Sequence, residues 1–475
     1  MLSPKFSMYH WLVSLRPFVL PHRLLMVLAE ESTLFASVIK WTALATVVGA
    51  LAGSATALFL YTLSWATGQM QRVPMPLLWL PVGFVVAYLL VRIFAPDAEG
   101  HGTDKVIEAI HRRDGQIDLA VAPVKLCATV VTLAVGGSVG KEGPAAQIGA
   151  ALASALASLL RLSRADRRTL VICGIGGGFA SIFGTPIAGS VFGLEVLVLG
   201  SVVYNVLYPS LVSGIVAYHV ATSLGVTYFH QTLSAIPRQS EGIMLKTVLA
   251  GVVFGLVALL LIETLRLVDE LVRRIPAPRW VVAAGGGALV AGLAWIFSDR
   301  YLGLGIPTLE RSLGGGGVPS GAFLLKILFT ALSLGAGGSG GIVTPIFFIG
   351  ATTGSALAAT LGFDPGTFAA IGMVALLAGA ANAPLAASIM AIELFGPAVG
   401  PFAALAAIAS YVIVGHRSVY PSQILGVAKT RSLRVPAGTE VGSLEDIQMR
   451  PSSHRLYVLL RMRRRAAWRR NTSGQ

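Results

Sequence analysis

The chain has 475 residues, of which 55% are hydrophobic and only 12% are charged, whereas soluble domains carry roughly a quarter charged residues. Its mean hydropathy of +0.75 excludes intrinsic disorder and exceeds what a soluble globule could bury. The net charge of +14 comes from basic residues between apolar segments and at the C-terminus, which fits the positive-inside rule better than nucleic-acid binding. We therefore predict an all-α polytopic membrane protein that binds no nucleic acid, cofactor or metal.

The apolar segments lie between a basic N-terminal segment, residues 1–35, and a basic tail, residues 431–475. The N-terminal segment is expected at the cytoplasmic membrane surface. Long apolar runs lie at 41–66, 75–94, 245–262 and 280–297. Shorter runs, interrupted by glycine and proline, lie at 118–136, 144–160, 169–183, 186–199, 322–338, 343–361, 366–380, 384–395 and 399–415. Several are too short to cross a hydrocarbon core of about 30 Å. Such broken helices line a cavity or are buried in protein, and they indicate a transport site.

Arginine-rich loops indicate the cytoplasmic side of the membrane. Arginines crowd the loops at 161–168 and 266–279 and recur in the tail beyond residue 444. Because cytoplasmic loops carry an excess of Lys and Arg, we predict that both termini are cytoplasmic. The protein is expected in an inner or plasma membrane. Cys127 and Cys173 both lie in apolar stretches and form neither a metal-ligand spacing nor a disulfide framework.

An internal repeat is the strongest signal in the sequence. Residues 123–150 align without a gap with residues 324–351, and 11 of the 28 positions are identical. A second match aligns 185–196 with 383–394, which pairs Glu195 with Glu393. We predict a transmembrane domain at 36–430, with one repeat at about 36–220 and the other at about 240–430. Duplicated membrane halves often have inverted topology, with the transport site where the repeats meet near mid-membrane.

Each repeat contains a glycine-rich turn, a proline and an apolar helix, which read GSVGKEGP at 137–144 and GSGGIVTP at 338–345. Glycines allow the backbone to approach a ligand closely, and helix N-termini offer free N–H groups with partial positive charge. Two such helix starts would form an anion site without a fixed cation. The carboxylate of Glu142 could occupy that site and leave when protonated or displaced. Alternatively, Glu142 only complements the dipole of its own helix.

These motifs carry a resemblance to a known family. GKEGP followed by AAQIG, the upstream PVK, the later GGIVTP, and NAPLAASIMAIEL resemble the CLC family of chloride channels and proton-coupled chloride antiporters, from about residue 36 to 430. The resemblance implies a homodimer in a lipid bilayer with one anion pathway in each subunit. It also implies that Glu142 is the external gating glutamate. The implied anion-binding positions are Gly100, His101, Gly102, Gly140, Lys141, Gly143, Gly341, Ile342, Val343 and Tyr420. Tyr420 has a second interpretation, as a tyrosine of the interfacial aromatic belt.

The first filter motif departs from the family pattern, which usually reads Gly-Ser-Gly-Ile-Pro. Residues 100–104 read Gly-His-Gly-Thr-Asp, so His101 stands where the family has its anion-coordinating serine. An imidazole N–H can still donate a hydrogen bond. Alternatively, His101 faces the cytoplasmic vestibule and the backbone alone holds the anion. Asp104 replaces the proline and is expected to cap the next helix. Val343 stands where the family usually has phenylalanine.

The family resemblance leaves the transport mode open. Val196 occupies the position of the internal proton relay, where family antiporters commonly have an acidic residue and family channels commonly have valine. Because Glu195 is duplicated as Glu393, we interpret it as structural, with a substitute proton relay as the alternative. We therefore favour passive chloride conduction over proton-coupled antiport. A remote alternative, an intramembrane enzyme, lacks a paired catalytic residue, so we predict that the protein is not an enzyme.

Overall fold

The computed structural model describes residues 22–228, 240–430, 433–444 and 448–449, together with residues 233 and 236. Most of the predicted surface segment at 1–35 and the arginines from 450 onwards lie outside these residues. The chain forms two compact units, residues 1–44 and residues 45–475. In the first unit, the described residues from His22 are helical and are mostly exposed where their burial is given.

The described residues form sixteen α-helices. The first eight are α1 His22–Met70, α2 Leu80–Phe94, α3 Thr103–Arg112, α4 Val121–Ala134, α5 Glu142–Leu159, α6 Arg164–Phe183, α7 Pro186–Glu195 and α8 Leu207–Ser223. The second eight are α9 Glu241–Arg273, α10 Arg279–Ile296, α11 Ile306–Leu313, α12 Ala322–Gly335, α13 Val343–Leu361, α14 Pro365–Ala381, α15 Pro384–Phe395 and α16 Gly400–Val414. Two short two-stranded sheets pair β1 Val198–Leu199 with β2 Ile424–Leu425 in parallel, and β3 Leu433–Arg434 with β4 Gln448–Met449 in antiparallel.

The helix order confirms the predicted duplication. The seven helices from α2 to α8 correspond one by one to those from α10 to α16, and the members of each pair have similar lengths. Each set is preceded by a long helix, α1 or α9. The helix order and lengths therefore show two repeats of long and short helices, as predicted.

The helix lengths agree with the predicted mixture of full and partial spans. Seven of the described helical segments are long and apolar enough to cross a membrane, and they include α1, α9 and α10. Four other apolar helices, α4, α12, α14 and α15, have only 10–17 residues. Large apolar side chains such as Trp295, which is 86% exposed, lie on the outer surface. Seven helical segments of spanning length together with such an exposed apolar surface are typical of an integral membrane protein.

The centre of the fold is made of closely packed helices with small residues at their contacts. Helix α5 packs on α6 and helix α13 on α14, and α14 is buried along its whole length from Gly366. A Cβ atom at Gly149 would collide with the carbonyl oxygen of Gly174, and one at the repeat-equivalent Gly350 would collide with that of Gly372. Because only glycine permits this approach, the same close helix contact is built into both repeats.

A buried lysine holds one loop in each repeat. Lys125 Nζ donates to the carbonyl oxygens of Ala98 at 2.9 Å and Gly100 at 2.7 Å. Lys326 Nζ donates to the carbonyl oxygens of Tyr301 at 3.0 Å and Gly303 at 2.8 Å. Both lysines are fully buried. The identical lysines of the sequence repeat therefore fix the chain just before α3 and just before α11.

The two repeats also exchange helix caps. The Glu195 carboxylate at the end of α7 accepts hydrogen bonds from the Leu385 and Ala386 amides, at 3.0 and 2.8 Å, at the start of α15. The Glu393 carboxylate on α15 accepts from the Ile187 and Ala188 amides, at 2.9 and 2.8 Å, at the start of α7. Each carboxylate satisfies amide donors that a helix N-terminus leaves free. This geometry supports the structural interpretation of Glu195.

We predict that Glu195→Gln destabilises the protein by about 1–3 kcal/mol, because a neutral amide replaces a charged acceptor that serves two buried N–H groups. Glu393→Gln should have a smaller effect, because Glu393 is more exposed than Glu195. The measurement is the midpoint of thermal unfolding in detergent. Glu310→Gln on the exposed side of α11 is the control. An unchanged midpoint for Glu195→Gln would contradict the capping role.

Candidate functional site

The two glycine-rich loops meet at the site. Gly140 N donates to Gly341 O at 2.6 Å, and Gly341 N donates to Gly140 O at 2.7 Å, which forms an antiparallel bridge between the repeats. Helices α5 and α13 begin directly after this bridge, at Glu142 and Val343. The bridge therefore brings together the two helix starts that the sequence predicts as the anion site. In this conformation the N–H groups of Gly140 and Gly341 donate to each other's carbonyl oxygens.

The Glu142 carboxylate lies across the junction of the repeats. It is 1% exposed, and its Oε2 accepts from the Thr344 amide at 3.0 Å. Its Oε1 accepts from the Thr344 hydroxyl. Glu142 thus sits at the N-terminus of α13, in the other repeat, where the partial positive charge of that helix attracts an anion. It does more than complement the dipole of its own helix α5.

Thr344, which bonds Glu142, is a residue of the candidate site that the sequence analysis missed. It precedes Pro345 at the start of a helix, where hydroxyl side chains commonly act as caps. A threonine before a proline at a predicted helix start was therefore the sequence signal that could have identified this residue. The repeat alignment could not reveal the contact, because Thr344 aligns with Gly143 and not with a residue that bonds a carboxylate.

The predicted filter loop packs against the start of α5. A Cβ at Gly143 would collide with the His101 carbonyl oxygen, and a Cβ at Gly102 would lie 2.6 Å from the Gly143 carbonyl oxygen. Gly102 also has φ +80°, which favours glycine. The loop at 100–103 and the start of α5 are therefore in direct backbone contact, and both glycines are required for it.

The His101 ring lies near the backbone of Val419, the residue before Tyr420. A role of His101 in binding the anion stays a prediction, and its position beside Val419 gives that prediction a concrete test below.

The expected helix cap at Asp104 is wrong. Gly102 is the N-cap residue of α3 and makes no side-chain cap. The Asp104 carboxylate instead accepts from the Ser422 amide at 2.9 Å and the Ser422 hydroxyl at 3.1 Å. The reason is its position in the first turn, inside α3, from which it reaches a chain segment that follows Tyr420. Asp104 therefore ties the Tyr420 segment to the filter loop.

Tyr420 and Thr103 contribute two buried hydroxyls to the site. Both residues are fully buried, which differs from the exposed rings of an interfacial aromatic belt. The two side chains lie close to each other. Neither hydroxyl makes a hydrogen bond of good geometry within the described structure. The Gln147 Oε1 atom, near Gly102, is likewise buried without a partner.

The remaining predicted positions lie around this junction. Lys141 directly precedes α5, while Ile342 and Val343 begin α13 and are fully buried. Val196 is also fully buried at the end of α7, and its carbonyl accepts from Gln423 Nε2 at 2.8 Å. Sequence reasoning missed Gln423, which lies three residues after Tyr420. An apolar side chain therefore occupies the relay position.

Fold and site together define a class of protein, namely an integral membrane protein whose inverted repeats join two helix N-termini around a carboxylate. The family model "Voltage gated chloride channel" matches residues 82–415, and the protein belongs to this family, the CLC family. It is 43% identical over 410 residues to the "Chloride/fluoride channel protein" of Pseudomonas syringae pv. tomato, which covers 84% of this chain and 90% of the relative.

Other relatives agree with this assignment. The "Voltage-gated ClC-type chloride channel ClcB" of Escherichia coli O17:K52:H18 is 30% identical, over 62% of this chain and 72% of its own length. The crystal structure of a CLC-type fluoride/proton antiporter has a TM-score of 0.77 at 29% identity, and covers 82% of this chain and 98% of that one. A slow cyanobacterial Cl−/H+ antiporter has a TM-score of 0.69 at 21% identity, covers 79% and 94%, and supports the fold alone.

We predict that Glu142→Ala and Glu142→Gln leave anion flux intact or raised and weaken its pH dependence. Alanine removes the carboxylate from the helix junction, and glutamine imitates its protonated form. The measurement is anion efflux from liposomes at several pH values. Loss of flux in a folded Glu142→Ala protein would identify an essential structural carboxylate in place of a gate.

We predict that His101→Ser changes the relative permeability of chloride, bromide and nitrate. Serine restores the hydroxyl that the family usually has at this position. The change should be modest, because one neutral hydrogen bond contributes only about 0.5–1.5 kcal/mol net. The measurement is the relative efflux of the three anions. Identical selectivity in the variant and the wild type would mean that the ring does not contact the anion.

Proposed function

We propose that this protein transports small halide ions, fluoride and chloride, through a pathway gated by Glu142 in each subunit of a homodimer. The names of the 43% identical relative and of the 29% identical structure support fluoride as a substrate beside chloride. We further propose an inner or plasma membrane location with both termini in the cytoplasm, because arginines crowd the loops assigned to that side.

The observation that carries the proposal is the bonding of the Glu142 carboxylate to Thr344. A carboxylate at the start of α13 occupies a place where the amide and the hydroxyl of Thr344 both donate. A halide is also an anion that accepts such bonds. Protonation or displacement of Glu142 would free these donors for the halide, which is the action of a gate.

Val196 and Glu195 favour passive conduction as the transport mode. Val196 can neither bind nor release a proton. The neighbouring Glu195 already accepts two amide hydrogen bonds from the start of α15. A proton that reached Glu142 from outside would therefore find no titratable side chain at the relay position.

Proton-coupled antiport is the second candidate. Two solved structures with the same fold are named as fluoride/proton and Cl−/H+ antiporters. Glu195 also lines a cavity of about 390 Å³ together with Tyr204, Asn382 and Tyr411. Such a cavity could bring water close to Glu195. In the antiport candidate, Glu195 would then carry the proton.

We predict that neither a fluoride nor a chloride gradient drives protons uphill through the wild-type protein. The reason is that Val196 interrupts any relay of titratable side chains. The measurement is external pH around sealed liposomes loaded with potassium fluoride or potassium chloride, with the voltage clamped by valinomycin and potassium on both sides.

Two controls make the measurement decisive. Protein-free liposomes report the passive leak, including the leak of hydrogen fluoride. Glu195→Gln separates the two candidates, because only the antiport candidate predicts that it uncouples proton movement from anion movement. Sustained uphill proton movement at a fixed ratio to the anion would overturn passive conduction.

A further inference from the structure

The loop that contributes polar side chains to the site has a counterpart in the second repeat. Residues 100–103 read Gly-His-Gly-Thr, and residues 303–306 read Gly-Leu-Gly-Ile. Helix α3 begins at Thr103 and helix α11 begins at Ile306. Lys125 and Lys326 hold the two loops with the same pair of carbonyl bonds. The two loops are held in the same way, so their backbone support does not explain why only the first loop carries the polar residues His101 and Thr103.

Thr103 and Tyr420 present two buried hydroxyls that lie close to each other, and neither makes a hydrogen bond of good geometry. A buried hydroxyl without a partner costs free energy, so a folded protein rarely leaves two of them side by side. The nearby carboxylates already accept other donors. Asp104 accepts from Ser422, and Glu142 accepts from Thr344.

A contact between these two hydroxyls can use only one of their two protons, so the acceptor for the other proton has to come from outside the chain. Gln147 Oε1 is the other unpartnered acceptor of this region, and neither hydroxyl bonds it. The start of α3, a helix of ten residues, adds partial positive charge at the same place. Hydroxyl donors beside a helix N-terminus suit an anion.

We propose that the Thr103 hydroxyl is a direct ligand of the transported halide, together with the Tyr420 hydroxyl. Thr103 thus supplies, two residues later, the hydroxyl that the family has at the position of His101. The inference rests on the proposed function and adds a residue that determines specificity. Because fluoride is the smaller halide and accepts stronger hydrogen bonds, Thr103 favours fluoride over chloride.

The test compares variants at Thr103 that differ only in the hydroxyl. Thr103→Val has the same shape without the hydroxyl, and Thr103→Ser keeps the hydroxyl without the methyl group. The matched control is Thr185→Val at the N-cap of α7, because Thr185 is also fully buried with an unpartnered hydroxyl. Binding of sodium fluoride and sodium chloride to the purified protein is measured calorimetrically, and efflux of each ion from liposomes is measured in parallel.

We expect Thr103→Val to bind fluoride about tenfold to a hundredfold more weakly, which is the range for a lost hydrogen bond to a charged group. Chloride binding should weaken less. Thr185→Val should bind both ions as the wild type does, and Thr103→Ser, which keeps the hydroxyl, should regain most of the fluoride affinity that Thr103→Val loses. Tyr420→Phe, which removes the other hydroxyl, should also weaken fluoride binding more than chloride binding. This variant tests the site if Thr103→Val does not fold.

The outcomes separate this inference from the proposed function. Wild-type fluoride affinity in folded Thr103→Val would overturn the inference alone, because the two hydroxyls would then hold only water. Equal weakening in Thr185→Val would also overturn it, because the loss would reflect general destabilisation. A wild-type protein that neither binds nor moves either halide would overturn the proposed function, and the inference with it.

Discussion

The rest of the site depends on the pairing of the two glycine-rich loops. Two reciprocal backbone hydrogen bonds join Gly140 to Gly341, and both loops are fully buried there. An unpaired backbone group in such surroundings is costly, so the bridge fixes the register between the repeats. That register places the start of α13 opposite Glu142. The contact between Glu142 and Thr344 follows from it, because each residue lies two or three positions after the bridge.

Function arises where the two repeats differ, on a scaffold where they agree. The gapless alignment pairs Glu142 with Val343 and Thr344 with Gly143. One helix start thus carries the carboxylate and the other carries the hydroxyl that binds it. Two like-charged carboxylates facing each other at this junction would repel. The contact between Glu142 and Thr344 therefore requires the two copies to differ at these positions.

Periodicity, motif and repeat were sufficient to predict the fold class, the order of short and long apolar segments, and the position of Glu142 at a helix start. They could not predict contacts that depend on the fold of distant segments. Asp104 bonds Ser422 across 318 residues of sequence, and local helix chemistry alone suggested a cap at that position. The exchange of Glu195 and Glu393 between helix starts was visible only as a duplicated residue, because sequence carries no direct signal for which helix a carboxylate reaches.

In the pathway that we propose, the buried lysines place a positive charge near the anion without binding it. The ammonium of Lys125 contacts the Gly100 carbonyl, on the side of the loop away from its amides. In a trans peptide the following N–H points opposite to the carbonyl, so the His101 amide points away from Lys125. A fixed cation in the pathway would hold a halide too strongly for rapid release. The lysine instead polarises a peptide group, and the pathway meets only its dipole. Lys326 does the same for the peptide between Gly303 and Leu304, where the apolar side chain of Leu304 packs into the core. Identical lysine chemistry thus supports both loops, and the loops differ in the side chain between their glycines, which is His101 in one and Leu304 in the other.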